Sequence, residues 1–79
     1  MTAKAYILIE TAFGKSKDVA ANLTQLDGVK VADSVTGPYG VIAIVEAETM
    51  NDVGDLVVEK IARISGISRT VTCLAIKTS

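Results

Sequence analysis

The 79-residue sequence contains no histidine, no tryptophan and only one cysteine, Cys73. Without histidine the chain lacks the usual general base and the commonest metal ligand, and it cannot form a Ser–His or Cys–His nucleophile. A metal site would need carboxylates alone, and these are not clustered in the sequence. A single cysteine excludes an internal disulfide and fits a reducing cytoplasm. These absences predict no catalytic residues, no metal and no cofactor, and therefore a protein that is not an enzyme.

Long apolar runs and an excess of basic charge are also missing. The longest apolar stretches, at 6–9 and 41–45, are far shorter than the about 20 residues that a membrane-spanning helix needs. No secretory leader is recognisable at the N-terminus. Eight Lys and Arg against nine Asp and Glu give a net charge of −1, and the basic residues are scattered. We therefore expect a cytoplasmic chain that contacts neither a membrane nor nucleic acid directly.

Hydrophobic residues, by contrast, are abundant for a chain of this size. They make up 49% of the sequence. Residues 1–79 have room for a single domain with one core, and so small a domain buries only about 60% of its unfolded surface when alone. We therefore expect a second subunit to cover part of the apolar surface.

Two periodicities alternate along the chain. Stretches rich in β-branched residues predict four strands, at 3–10, 29–36, 41–47 and 67–76. Between the first two, apolar residues recur three and four positions apart and predict a helix, with Ser16 as its N-cap and Gly28 as its C′ glycine. A second helix is predicted over 53–64, after a Thr-Met-Asn-Asp sequence at 49–52 that resembles a capping box.

The order βαββαβ predicts an α+β fold of the ferredoxin-like type, a four-stranded antiparallel sheet with two helices on one face. The first and third strands nevertheless lack polar alternation. Ala5, Ile7 and Ile9 alternate with the equally apolar Tyr6 and Leu8. Because an antiparallel sheet with one face in water should alternate, the open sheet face is expected to meet a second copy. The prediction is a dimeric α/β barrel.

A glycine-rich corner, Thr36-Gly37-Pro38-Tyr39-Gly40, joins the second and third strands. Pro38 fits the second position of a turn, and Gly40 fits the left-handed position that follows a type I turn in a bulged hairpin. The corner is therefore consistent with a plain hairpin turn, and equally with the rim of a binding site.

Two longer patterns carry a family resemblance, VTGPYGVIAIVEAE at 35–48 and IARISGISRTVTCL at 61–74. Together they resemble the effector-binding domain of the Lrp/AsnC transcription regulators, the RAM domain, over nearly the whole chain. Full-length members carry an N-terminal helix-turn-helix domain, so this chain is expected to be the stand-alone version. The resemblance implies dimers that assemble into octamers or larger rings and bind a small effector, typically an amino acid, between dimers. It also implies a full-length Lrp/AsnC regulator as a partner in mixed oligomers.

The resemblance further implies the position of the effector site, at the corner and on the last strand. The matching residues are Thr36, Gly37, Tyr39, Gly40, Thr70 and Thr72. Because Thr70 and Thr72 are two positions apart on a strand, their hydroxyls are expected on one face. The family corner reads T-G-x-x-D, and its aspartate binds the ligand's ammonium group, whereas this chain has Gly40. Losing that charged partner costs about 1.5–3 kcal/mol, or about one to two orders of magnitude in affinity.

The sequence is therefore compatible with three functions. The first is a module that senses a small metabolite and modulates a transcription regulator or other partner. The second, favoured by Gly40, is a structural oligomerisation module without a ligand. The third is a small cofactor-free oxygenase of dimeric ferredoxin-like fold, which the absence of histidine and of a carboxylate pair disfavours. Tyr39 is predicted to be a subunit contact or a ligand wall, and Cys73 an inert thiol in the core or in an interface.

Overall fold

The computed structural model describes residues 2–76. Its elements are β1 (Ala3–Thr11), α1 (Ser16–Leu23), β2 (Val29–Ser34), β3 (Val41–Ala47), α2 (Met50–Glu59), a 3₁₀ turn (Ile61–Arg63) and β4 (Ile67–Leu74). The predicted order βαββαβ is confirmed. The four strands lie where the periodicity placed them, and both helices are shorter than predicted.

The strands form one antiparallel sheet in the order β2-β3-β1-β4. Both helices cover the same face of it. Fully buried side chains of β1 and β3 pack there against Val19 and Leu23 of α1 and against Val53 of α2. The predicted ferredoxin-like architecture is confirmed, and the core lies between this face and the helices. None of the helices in residues 2–76 is long and apolar enough to cross a lipid bilayer.

The ends of the helices agree only partly with the sequence signals. Thr49 is confirmed as the N-cap of α2, because its hydroxyl accepts a hydrogen bond from the Asp52 backbone N–H at 3.1 Å; the reciprocal bond of a full capping box is not among the hydrogen bonds of residues 2–76. The prediction for α1 was wrong at both ends. Lys15 occupies the N-cap position without a side-chain bond, while the Ser16 hydroxyl accepts from the Ser34 hydroxyl at 2.9 Å.

Gly28 does adopt a left-handed conformation, with φ of 94°, but it does not end α1. The helix ends at Leu23, and two further turn hydrogen bonds, Leu26 N–H to the Leu23 carbonyl and Val29 N–H to the Leu26 carbonyl, follow it. Gly28 instead leads into β2, where an added Cβ would lie 3.2 Å from the carbonyl oxygen of Glu46. Its role is to let two backbones approach closely.

The sheet face opposite the helices carries apolar side chains from all four strands. On the central strands Tyr6 lies opposite Ile44, and Leu8 lies opposite Ile42. The edge strands add Val31, Val71 and Cys73. Cross-strand partners share a face, so these side chains form one surface, which we call the open face. The prediction that β1 and β3 are apolar on both sides is confirmed, and Cys73 is exposed on the open face rather than placed in the core.

Candidate functional site

The glycine-rich corner is held against the end of β1. The Gly40 N–H donates to the Ile9 carbonyl, and the Gly40 carbonyl accepts from the Val35 N–H, both at 2.9 Å. Between these bonds the N–H groups of residues 36, 37 and 39 have no hydrogen-bond acceptor within residues 2–76. Residues 36 and 37 are exposed and residue 39 is half-buried, so these donors face water and are available to a ligand that replaces it.

Gly40 does not have the conformation that the turn pattern predicted. Within residues 2–76 only three glycines adopt a positive φ, and Gly40 is not one of them. That prediction was wrong, and glycine is required here for a different reason. An added Cβ would overlap the Thr11 hydroxyl and lie 3.3 Å from the Ser16 Cβ. An aspartate at position 40 would therefore require Thr11 to move, because the Thr11 hydroxyl occupies the space beside this position.

Gly37 differs from Gly40 in its surroundings. An added Cβ at Gly37 would meet no atom within 4 Å, and its φ lies outside the left-handed region. A methyl group at this position would therefore point into open space without straining the subunit. Of the two corner glycines, Gly40 is explained by packing within the subunit, whereas packing leaves Gly37 unexplained.

An open cleft of about 520 Å³ lies beside the corner, between it, the β1–α1 loop and the start of β4. We call it the corner cleft. Most of its polar lining residues carry a hydroxyl, Glu10 is the one acidic residue of the lining among residues 2–76, and the fully exposed Phe13 also lines it. The lining residues are Glu10, Thr11, Ala12, Phe13, Gly14, Ser16, Val35, Thr36, Gly37, Pro38, Tyr39, Gly40 and Ser68.

A β-bulge shapes the wall of the cleft beside β4. Glu10 lies opposite Arg69, but Thr11 lies opposite Ile67, so Ser68 has no cross-strand partner. The Ser68 hydroxyl donates to the Glu10 carbonyl at 3.1 Å. The Glu10 carboxylate lies 3.5 Å from the Arg69 guanidinium, and both side chains are largely solvent-accessible. Such an exposed ion pair contributes little to stability, so Glu10 is available for other partners.

The predicted site residues fall into two groups. Thr36, Gly37, Tyr39 and Gly40 line the corner cleft together, whereas Thr70 and Thr72 do not line it. Cross-strand pairing of these threonines with the buried Ile9 and Ile7 confirms that they share a face. That face is the helix-covered one, at the outer edge of the sheet. Sequence reasoning missed Glu10, Phe13 and Ser68, because nothing in a strand end or a loop signals that it will lie beside a distant corner.

Comparison with known proteins identifies the domain. Residues 4–79 match the profile of the Lrp/AsnC ligand binding domain. The chain belongs to this family. An uncharacterized HTH-type transcriptional regulator of Pyrococcus furiosus is 32% identical to it over 62 residues, which make up 78% of this chain and 41% of the regulator. The Lrp/AsnC domain described here thus spans less than half the length of that curated relative.

Solved structures agree with this assignment. A hypothetical protein of Pyrococcus horikoshii is 37% identical, with a TM-score of 0.87 over 99% of this Lrp/AsnC domain and 93% of its own chain. A transcriptional regulator of Neisseria meningitidis, solved as a complex with L-Met, has a TM-score of 0.82 over 95% of this chain and 50% of its own. At 16% identity the second likeness shows the fold alone.

Proposed function

We propose that this Lrp/AsnC domain is a non-enzymatic, cytoplasmic ligand-binding and oligomerisation module that senses a small metabolite, with an amino acid as the first candidate. The observation that carries the proposal is an open cleft with unpaired backbone N–H groups, at the corner that matches the family pattern. The module modulates a partner, for which a full-length Lrp/AsnC regulator that assembles with it is the best candidate.

The chemistry of the corner suits the carboxylate of an amino acid. Successive backbone N–H groups in a turn bind anions well, and residues 36, 37 and 39 provide such donors. The hydroxyls of Thr36 and Tyr39, which also line the corner cleft, add donors that rotate toward a ligand. The L-Met complex of the Neisseria regulator supports the compatibility of this fold with an amino-acid ligand.

Assembly of the module follows from its two exposed features. The open face, centred on Leu8 and Ile42, pairs with the open face of a second copy and completes the dimer. Dimers then associate into octamers or larger rings. Because Thr70 and Thr72 lie away from the corner cleft of their own subunit, we assign them to the cleft of a neighbouring subunit, with the ligand bound between dimers.

Native mass spectrometry of the purified protein, with and without each common amino acid, tests the proposal. We expect a ring-sized species that gains one ligand mass per subunit or per interface with at least one amino acid. A ring that gains no mass with any of them contradicts amino-acid sensing. A monomer without larger species contradicts the assembly, since the sheet-to-sheet dimer is its first step.

A structural oligomerisation module without a ligand is the second candidate. The close approach of Thr11 to position 40 favours this candidate, because it goes with the absence of the family's acidic group from the corner. In that case the protein forms the same rings but binds no metabolite, which is the second outcome of the experiment above. The open lining of the corner cleft, where no group of residues 2–76 accepts a bond from the N–H donors, favours the sensing module instead.

If two subunits build each site, mixing two binding-deficient variants should restore binding at part of the sites. Gly37→Ala fills the mouth of the cleft without touching its own subunit, and Thr72→Val removes one hydroxyl at nearly unchanged volume. Each variant alone is expected to bind the ligand at least tenfold more weakly. Mixed oligomers of the two contain about one quarter of sites in which an intact corner meets an intact β4, and these should bind like wild type. Calorimetric titration of the mixture measures the restored fraction.

The matched control is the double variant Gly37→Ala/Thr72→Val mixed with wild type. If each site is built by two subunits, this mixture also regains about one quarter of its sites. If each site lies within one subunit, the control mixture regains about one half, and the two single variants mixed together regain nothing. The latter pattern would overturn the assignment of Thr72 to a neighbour.

A further inference from the structure

We propose that Glu10, at the end of β1, provides the carboxylate that binds the ammonium group of an amino-acid ligand in the corner cleft. This inference rests on the proposed sensing function and specifies its ligand class as α-amino acids in their zwitterionic form. In the family pattern the aspartate at the fifth position of the corner, which is Gly40 in this chain, binds the ammonium group.

Position 40 carries no acidic group in this chain, and the packing around it disfavours one. The space beside Gly40 holds the Thr11 hydroxyl, with the Cβ atoms of Thr11 and Ser16 both 3.3 Å from an added Cβ. Any side chain at position 40 would have to displace these atoms. The counter-charge for an ammonium group must therefore come from another residue, and the lining of the cleft is the first place to look for it.

Glu10 can provide this counter-charge, and no other lining residue among 2–76 is acidic. Its side chain lies two positions after Leu8, at the end of the open face that borders the cleft. The Glu10 side chain is 40% exposed, and that of Arg69, 3.5 Å away, is 66% exposed. An ion pair so open to water exchanges easily for a ligand, because solvent already screens most of the attraction.

The two ends of the cleft complement the two charged groups of an amino acid. The corner presents unpaired N–H donors for a ligand carboxylate, and Glu10 presents an acceptor for a ligand ammonium group. A carboxylic acid without an amino group would satisfy the first end and leave the second unused. The cleft is therefore expected to distinguish an amino acid from its 2-oxo acid.

Calorimetric titration with common amino acids and their matching 2-oxo acids tests the inference. Wild type should bind at least one amino acid more tightly than its 2-oxo acid. Glu10→Gln keeps the shape of the side chain and removes its charge. It should weaken binding of that amino acid by about ten- to a hundredfold and leave binding of the 2-oxo acid nearly unchanged.

Two control variants separate a local charge effect from a general one. Glu59→Gln, at the exposed end of α2 outside the cleft lining, should leave the affinity for the amino acid unchanged. Arg69→Gln removes the cation that competes for Glu10 and should strengthen amino-acid binding. Because Glu10 and Arg69 lie at the end of the open face, the oligomer is also weighed. Its mass and the Tm of every variant should equal those of wild type, whereas a role of Glu10 in dimer contacts predicts a change in mass.

The outcomes distinguish this inference from the proposed function. If wild type prefers an amino acid and Glu10→Gln binds it equally well, the role of Glu10 is overturned and sensing stands. If wild type binds only 2-oxo acids, Glu10 is again overturned while a metabolite site remains. If wild type binds neither class at millimolar concentration, both proposals are overturned.

Discussion

Leu8→Asp is expected to convert the assembled protein into a folded monomer. Leu8 lies in the middle of the open face, opposite Ile42 on one side and Val71 on the other. It contributes nothing to the buried core between sheet and helices, so the subunit should keep its fold. In the dimer, however, the new carboxylate would be buried against apolar side chains without a counter-charge. Such a group costs about 3–5 kcal/mol, or about two to four orders of magnitude in the dissociation constant.

Sedimentation or native mass spectrometry at fixed protein concentration measures this change, and Cys73 provides an independent signal. The thiol is exposed in the isolated subunit and lies opposite Tyr6 on the open face. A thiol reagent should therefore modify Cys73 slowly in the wild-type assembly and rapidly in Leu8→Asp. Because the chain has one cysteine, the reaction reports on this face alone.

Val58→Asp is the matched control for the dimer. Val58 is an apolar residue of α2 that is 67% exposed, on the side of the molecule that the helices cover. The same new charge at this position should leave the dimer and the protection of Cys73 intact. An oligomer of wild-type mass for Leu8→Asp, with Cys73 still protected, would contradict pairing through the open face.

The architecture was predictable because it depends on patterns that are local in the sequence. Runs of residues alternating with period two predicted the strands, and Thr49 predicted the start of α2. The absence of polar alternation around Leu8 predicted the apolar open face. Each signal needs only neighbouring residues. The α1 cap failed for the opposite reason, because Ser16 and Ser34 satisfy each other through a contact between distant parts of the chain.

The candidate site was only half predictable for the same physical reason. The corner residues are contiguous, so their common location follows from any hairpin. Glu10 joins them only because β1 is hydrogen-bonded to the corner through Ile9 and Gly40. Thr70 and Thr72 lie farther along β4 than Ser68, which lines the cleft, and pair with Ile9 and Ile7 of β1. A family pattern can be aligned residue by residue, but it does not say which subunit provides each part.

A side chain at position 40 would collide with Thr11, so the effects of substitutions at these two positions should depend on each other. Gly40→Ala is expected to lower the free energy of unfolding by about 1–3 kcal/mol, because the new methyl group overlaps the Thr11 hydroxyl. In a domain of this size each kcal/mol lowers the Tm by about 4–8 °C. In a Thr11→Ala background the cost should fall by about 0.5–3 kcal/mol, measured as a double-mutant cycle at constant protein concentration. Gly37→Ala, whose added methyl group meets no neighbour, is the control and should be neutral within about 0.5 kcal/mol.

The same pair of positions then links packing to ligand recognition. If Thr11 is what excludes an acidic side chain from position 40, the combination Thr11→Ala with Gly40→Asp accommodates the family aspartate. Introduced into Glu10→Gln, this combination should recover amino-acid binding that Glu10→Gln alone has lost, since one carboxylate replaces the other in the same cleft. Gly40→Asp without Thr11→Ala should recover less, because the clash remains. Equal stability of Gly40→Ala and Gly37→Ala would refute the steric coupling. If the triple variant Glu10→Gln/Thr11→Ala/Gly40→Asp folds like wild type but fails to bind the amino acid, the two carboxylates are not interchangeable.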